Sequence, residues 1–418
     1  MARSSARRPL RAVVVGGGVV GLCTAWFLQE HGAEVTVIER EVIGAGASHG
    51  NAGWVTPGMA APLPEPSVLR GGGAMLLSPN APVSIRPAID PDLVRFLFGF
   101  ARNATTTRWQ HGMAALAPLN RAAFDAFDVL GAAGVTAGAG TVSDIVAAWA
   151  SPRQRQAFAE ELRHMASFGV SIDAEEVGGD EARALQPALS SRIGAGLVLR
   201  AQRFVEPRAL SDALALSVAE RGGRIRTGRT VTGISATPRE VVVRTKDDDV
   251  VADHVVIATG AELTRLARPF GVRRVVQAGR GYSFSVSPAD LPTAPIYLPA
   301  ARLACTPLRG RLRIAGLMEF SRPHASFLPR RIRTMTAAAS ALLTGVDFED
   351  RHEEWVGSRP VTADGIPFIG RTRDPRVHVA GGHGMWGVTL GAVTGRMLAR
   401  QVMSGEASPE LAAFDPLR

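Results

Sequence analysis

The chain is predicted to fold as a mixed α/β protein, on three observations. A β-branched run near the N-terminus enters a glycine triplet and then a helical pattern. Successive short apolar runs between residues 224 and 257 read as strands. A second glycine loop near the C-terminus opens another helical pattern. The length, 418 residues with 46% hydrophobic and 20% charged content, suits two domains or one large domain with insertions.

Ala12-Val13-Val14-Val15 is a short run suited to a parallel strand buried on both faces. Gly16-Gly17-Gly18-Val19-Val20-Gly21 follows at once. Apolar residues then recur at helical spacing through Leu22, Ala25, Trp26 and Leu28, and Gly32 ends the helix. Glu34–Ile38 is a second strand, with Glu39 at its end. Strand, G-x-G-x-x-G, helix, strand, acid is the order of a Rossmann-type dinucleotide site. Gly16 permits the tight turn, Gly18 lets backbone approach a pyrophosphate, and Gly21 lets helix pack on strand. The helix N-terminus offers free N–H groups to phosphate, and Glu39 can accept from ribose hydroxyls. NAD and FAD both carry ADP, so this motif does not choose between them.

Residues 44–58 form a small-residue loop in which Ser48 and Asn51 are candidate liners of a phosphate or ring system. Residues 61–92, rich in Pro and Gly, read as an excursion. Asp92 is the expected cap of a helix through Leu93, Phe96, Leu97, Phe100 and Trp109, whose apolar face reads as core. A second helix covers Leu119–Leu130, a strand Asp144–Trp149, and Ser151-Pro152 opens a helix to Phe168. A helix over Pro207–Glu220 stops at Gly222-Gly223. Arg224–Arg226, Val231–Ile234, Val241–Val243 and Val255–Ile257 are strands, the last ending in Ala258-Thr259-Gly260. Strands dominate from Tyr282 to Met318, with a helix near Thr334–Leu343.

Residues 357–370 are a dense polar, turn-forming run. Val377–Ala380 is a strand, Gly381–Gly387 a glycine loop, and Val388–Met403 a helix. A nicotinamide enzyme needs no second helix N-terminus there. An isoalloxazine does, because the positive helix end stabilises charge that builds at flavin N1/C2=O on reduction.

Composition excludes other classes. Two cysteines, Cys23 and Cys305, build neither a disulfide framework nor a thiolate metal site, and no metal is expected. The net charge of +9 comes from arginines spread along the chain, with Lys246 the single lysine, so no nucleic-acid stripe is present. Ser5–Arg11 imitates a twin-arginine signal. It reads instead as a basic tail, because cleavage would destroy the nucleotide motif. No apolar run reaches the roughly 18–20 residues of a bilayer span. The expected location is cytoplasmic, with peripheral attachment to the inner face of the cell membrane left open.

The chain resembles the D-amino-acid oxidase/glycine oxidase superfamily of FAD enzymes, and within it the small subunits of bacterial D-amino acid dehydrogenases. The likeness runs nearly end to end. It rests on Val13–Gly21, Ser48-x-x-Asn51-Ala52-Gly53, Gly281-Tyr282-Ser283, Arg359-Pro360-x-Thr362-x-Asp364-Gly365-x-Pro367-x-x-Gly370-Arg371-Thr372, and Gly382-His383-Gly384 with Gly387. The resemblance implies a PHBH-like fold: a Rossmann-type FAD-binding domain and a mixed-sheet substrate domain, both discontinuous. The FAD part would take residues 1–60, 206–262 and 350–418, and the substrate part 61–205 and 263–349. It implies non-covalent FAD, held by Gly16, Gly18, Val19, Val20 and Gly21, by Glu39 and Arg40 at the adenosine end, and by Val231 at adenine. Ser48, Asn51, Ala52, Gly53 and Gly260 would lie along the cofactor, with Gly382, His383, Gly384, Gly387, Val388 and Thr389 bordering the pyrimidine side of the flavin. Arg359 matches the arginine that clamps the substrate carboxylate, and Tyr282 is carried over as a pocket residue. His383 is the candidate base, though a backbone-positioning role suits it better. Trp54, Met385 and Trp386 depart from the subfamily in bulk and would reshape the pocket.

The implied reaction is α-C–H oxidation of a small amino acid. The electron acceptor is a quinone, a carrier or O2, and homo-oligomerisation stays open. An oxidase of glycine, sarcosine or a cyclic secondary amine is the alternative within enzymes. A non-catalytic FAD-binding subunit is the alternative outside them.

Overall fold

The computed structural model describes residues 8–66, 81–135, 137–406 and 408–418. Residues 1–7 and 67–80, on which the tail and part of the excursion fall, lie outside the described residues.

The valine run explains the first sheet. Val14 packs with Leu22, Trp26 and Leu398 on one face, while Val13 and Val15 pack with Val241, Val243 and Leu263 on the other. A strand covered on both sides needs a continuous apolar run. This strand, β1 (Arg11–Val15), sits inside a six-stranded sheet. It pairs in parallel with β2 (Glu34–Ile38) and β12 (His254–Ile257). Next to β2 lies β8 (Arg224–Arg226), and next to β12 lies β19 (Val377–Gly381), both parallel. The antiparallel β18 (Phe368–Arg371) closes the edge. A meander of β9 (Val231–Ala236), β10 (Val241–Thr245) and β11 (Asp249–Ala252) covers one face.

The larger sheet has ten strands. Its long members are β5 (Thr141–Trp149), β7 (Ala195–Phe204), β13 (Val276–Val286), β16 (Arg311–Ser321) and β17 (His352–Thr362). Shorter strands fill it out: β3 (Trp54–Val55), β4 (Val83–Ile85), β6 (Ala174–Gly178), β14 (Ile296–Leu298) and β15 (Leu303–Leu308). Pairing is mixed: β14 runs parallel to β5 and β4 to β16, while β13 is antiparallel to both its neighbours. The helices are α1 (Val19–Glu30), α2 (Pro91–Asn103), α3 (Thr106–Ala132), α4 (Pro152–Ala166), α5 (Gly179–Leu185), α6 (Pro207–Glu220), α7 (Leu263–Ala267), α8 (Pro329–Ser340) and α9 (Gly387–Ser404).

Several sequence expectations need correction. Asp90, not Asp92, caps α2, accepting from Asp92 N at 3.0 Å and Leu93 N at 3.3 Å. Trp109 belongs to α3, which starts at Thr106 and runs through Pro118. The acidic run at 247–249 hid β11, whose Val250 and Ala252 pack toward the core. The stretch from Gly357 to Thr362 is strand rather than turn. Pro360 is tolerated there because β17 is an edge strand. The same placement puts β17 in the ten-stranded sheet, although a boundary at 350 would assign it to the cofactor part.

Helices α1 and α9 cross closely. A Cβ added at Gly395 would lie 2.6 Å from the backbone carbon of Cys23, and one at Gly391 3.6 Å from Val19. The crossing aligns the two N-termini at the same end of the small sheet. Gly395→Ala should gain helix propensity yet lose net stability by about 1–3 kcal/mol, because the added methyl meets backbone that has no room to move. Thermal melting checks this; a higher Tm would refute the tight crossing.

His378 on β19 is buried, with His254 Nδ1 3.2 Å from its Nε2. Burial, then the His254 charge, pulls its pKa down to about 3. Between that value and the unfolded value near 6.5, the unfolded chain binds the extra proton. Stability should therefore fall as pH drops from 6.5 toward 3, by about 1.4 kcal/mol per pH unit for this residue. Denaturant titrations of His378→Gln should show a shallower acid slope.

Candidate active site

Parallel strands end where ligands bind, and here β1, β2, β12 and β19 end at one cleft of about 360 Å³. Gly16 takes φ +116°, and a side chain there would sit 2.4 Å from the Ala258 carbonyl at the end of β12. The N-terminal residues of both crossing helices, Val19 and Val20 of α1 and Gly387 and Val388 of α9, face the cleft. The dipoles of the two helices give it two positive ends.

Polar side chains shape the walls. Glu39 is fixed at the end of β2: Oε2 accepts from Gly17 N at 2.7 Å and Oε1 from Glu41 N at 3.0 Å. Arg40 pairs with Glu262 at 2.6 Å. Ser48 Oγ accepts from Val19 N at 3.0 Å, so it caps the first turn of α1 while lining the cleft. Asn51 braces its own loop, accepting from Gly53 N at 2.7 Å and donating to Ser48 O at 3.1 Å. Val231 lines the wall, and its carbonyl accepts from Arg265 at 3.2 Å.

Of the residues singled out in the sequence, Gly18, Gly260, His383, Gly384 and Arg359 also line the cleft. Gly21, Ala52, Gly53, Gly382 and Thr389 stand behind its surface. Thr389 Oγ1 donates to Trp54 O at 3.0 Å, and Ala52 O accepts from Thr306 Oγ1 at 2.7 Å. Tyr282 is not brought to the cleft. It is fully buried among Phe284, Ile332 and Met335 beneath the large sheet, with its hydroxyl 3.4 Å from Glu319. In β13 Gly281 faces the Arg359 guanidinium, and strand alternation turns Tyr282 away.

Arg359 is the central feature of the large sheet's wall. Residues 355, 357 and 359 share one face of β17, which brings Trp355, Gly357 and Arg359 to the cleft together. The guanidinium lies over Gly281, where an added Cβ would come within 2.2 Å of it. One Nη donates to Leu317 O at 2.5 Å. Leu317 holds φ +57°, beside a register irregularity between β13 and β16, and this turns its carbonyl toward the arginine. Among the described residues no carboxylate pairs with Arg359, and desolvation pulls its pKa down to about 10.

His383 is buried, its Nε2 2.9 Å from Thr394 Oγ1, and burial lowers its pKa to about 4. It is neutral at physiological pH. Its Nδ1 and the Thr259 hydroxyl are buried at the cleft without a protein partner, so both are free to bond a ligand. Sequence reasoning missed Trp355, Arg265 and Glu262. A period-2 reading back from Arg359 would have found Trp355; the other two come from a short helical turn with no motif.

Residues 11–401 match the family described as FAD dependent oxidoreductase (DAO). The chain belongs to that family. Over 414 residues it is 31% identical to a D-amino acid dehydrogenase of Cereibacter sphaeroides, covering 97% of this chain and 94% of the relative. A D-amino acid dehydrogenase of Phenylobacterium zucineum is 30% identical, covering 98% and 99%. The fold is similar to that of glycine oxidase from Bacillus cereus, at a TM-score of 0.72 and 21% identity, covering 96% of this chain and 97% of that one.

FAD is therefore the cofactor of this oxidoreductase, and the cleft fits it. Two helix N-termini suit its phosphates and reduced ring, a strand-end carboxylate suits its ribose, and two orphaned polar atoms await partners. Both thiols are buried in apolar cores, outside the cleft lining, with pKa values pushed up to about 12 by desolvation.

If the glycine at 281 makes room for the guanidinium, Gly281→Ala should displace it and raise KM for substrate by about tenfold or more, with FAD content unchanged. Equal KM in the two proteins, from steady-state kinetics on FAD-saturated enzyme, would refute the placement.

Proposed function

We propose that this oxidoreductase is an amino acid dehydrogenase that oxidises the Cα–N bond of a small amino acid, of the D series. The observation that carries the reading is Arg359: a desolvated guanidinium in the cleft wall, bonded to a carbonyl and lacking a carboxylate partner among the described residues. A buried charge without a counter-ion is costly, and a substrate carboxylate removes that cost through charge-assisted hydrogen bonds. The D-series assignment draws on the D-amino acid dehydrogenases that the chain resembles over its length.

Glu39 would hold the adenosine ribose, the α1 N-terminus the pyrophosphate, and the α9 N-terminus with His383 the ring. Bound there non-covalently, FAD would supply the two-electron acceptor for the hydride lost from Cα. Arg359 orients the substrate, and Leu317 O fixes the rotamer of the guanidinium. His383 is a positioning residue: with a pKa near 4 it does not take the substrate ammonium proton at neutral pH. The amino acid therefore reacts as its neutral amine, and the imino acid released hydrolyses to a 2-oxo acid and ammonia. Orientation supplies the catalysis. Electrons then pass to a quinone or carrier, as the dehydrogenase reading requires.

Arg359→Leu should raise KM by about a hundredfold or more, about 2.7 kcal/mol, while FAD stays bound. An anaerobic screen of D- and L-amino acids, glycine and sarcosine, following flavin bleaching, tests the substrate class. Bleaching by none of them, or an unchanged KM in the variant, overturns the reading.

A further inference from the structure

The cleft is bridged at the end where β2 delivers Glu39. Arg40 follows β2 and Glu262 follows β12, two strands of the small sheet. His324 lies in the loop after β16, a strand of the large sheet. All three residues line the cleft. They meet at one atom: Glu262 Oε1 accepts from Arg40 Nη1 at 2.6 Å, and His324 Nε2 pairs with the same oxygen. Burial alone would raise the pKa of the Glu262 carboxyl, but hydrogen bonds from Arg40 and His324 hold it below its ordinary value. The loop that carries His324 is itself braced. Pro323 O accepts from Ser358 Oγ at 2.8 Å, and Ser326 O accepts from the buried Arg280 at 3.0 Å. Behind the bridge lies a second cleft of about 320 Å³, and Ala261, Glu262, Arg265 and Pro323 line both clefts. The wall is thin there, so side-chain bonds rather than packed apolar residues close it.

We propose that Arg40, Glu262 and His324 form a cross-cleft bridge that retains the adenosine half of FAD, with His324 supplied by the large sheet. The inference rests on the placement of the adenosine ribose at Glu39, and not on the identity of the amino acid oxidised. Val231, Arg229 and Thr230 line the same end of the cleft, and Arg265 donates to Val231 O at 3.2 Å from beside the bridge. A nucleotide leaves that end only after side chains of the two sheets part, and breaking the contacts at Glu262 Oε1 is the step that the bridge adds. The bridge therefore acts on cofactor release, at the opposite end of the dinucleotide from the ring where Arg359 orients substrate. Its effect is modest in size. The His324 side chain is 66% exposed and that of Glu262 24%, so water screens the pair. An exposed pair of this kind changes a rate or an equilibrium by up to about fivefold.

The test is the rate of FAD release from the holoenzyme, followed as the rise of free-flavin fluorescence after dilution. His324→Ala should speed release about fivefold. His324→Gln keeps an N–H donor and should speed it less. Glu262→Gln, of the same shape as the native residue, should speed release at least as much as His324→Ala. The double variant should then release FAD no faster than Glu262→Gln alone, because the bridge is already broken. Unchanged release in His324→Ala overturns the proposal. So do effects of the two single variants that multiply in the double, since His324 and Glu262 would then act independently. Glu39→Gln, measured in the same series, separates two kinds of failure. If it speeds release while His324→Ala does not, the adenosine lies at Glu39 and the bridge alone is refuted. If neither speeds release, the placement of the adenosine falls together with the bridge.

Discussion

The close passage of α9 over α1 is the constraint on which the rest of this structure depends. Gly395 lets the second helix lie against the backbone at Cys23, and the small sheet supports both helices from below. Two segments more than 360 residues apart in sequence, Val19 and Gly387, then open toward the same cleft. Each N-terminus carries about half a positive charge. Together they favour an anionic, electron-rich ligand before any side chain is counted. The side chains that reach the cleft, such as Glu39 and Ser48, are in turn fixed by the backbone they bond.

The large sheet contributes the opposite arrangement, a partly desolvated cation in the cleft wall. Most arginines of the chain sit at the surface, many beside carboxylates worth little to stability. Arg359 is desolvated in the cleft wall, has no carboxylate partner among the described residues, and donates to the carbonyl of Leu317, a residue of positive φ. Such a group lowers stability in the free protein and regains it when substrate binds. The paired helix ends and the lone guanidinium lie on two different sheets, so the site exists only where those sheets meet.

Much of this was legible in the residues. The valine run, the glycine triplet and Glu39 announced the first sheet and its nucleotide site, because local pattern and backbone need coincide there. The glycine loop before α9 announced the second helix end for the same reason. Tyr282 was misplaced, because a motif names a residue without saying to which side of a strand it points; the bulge and alternation of β13 turn it under the sheet. Strand β11 was hidden by its acidic neighbours, and Asp90 was passed over for Asp92 because a cap is set by the extended backbone of the capping residue itself, here Asp90. Arg265 and Glu262 carry no motif, since a wall residue needs only proximity.

The sequence by itself determined most of the periodic elements, the family, the FAD chemistry and the candidacy of Arg359, because each is encoded in short local motifs. Tertiary structure alone decided that Arg359 lies over Gly281, that Trp355 shares its face, and that Val94 and Phe98 point outward while Phe96 and Phe100 point in. The physical reason is distance along the chain. Pairing, desolvation and exposure are set by neighbours that strand register and helix crossing bring together from far apart, and no local pattern records them.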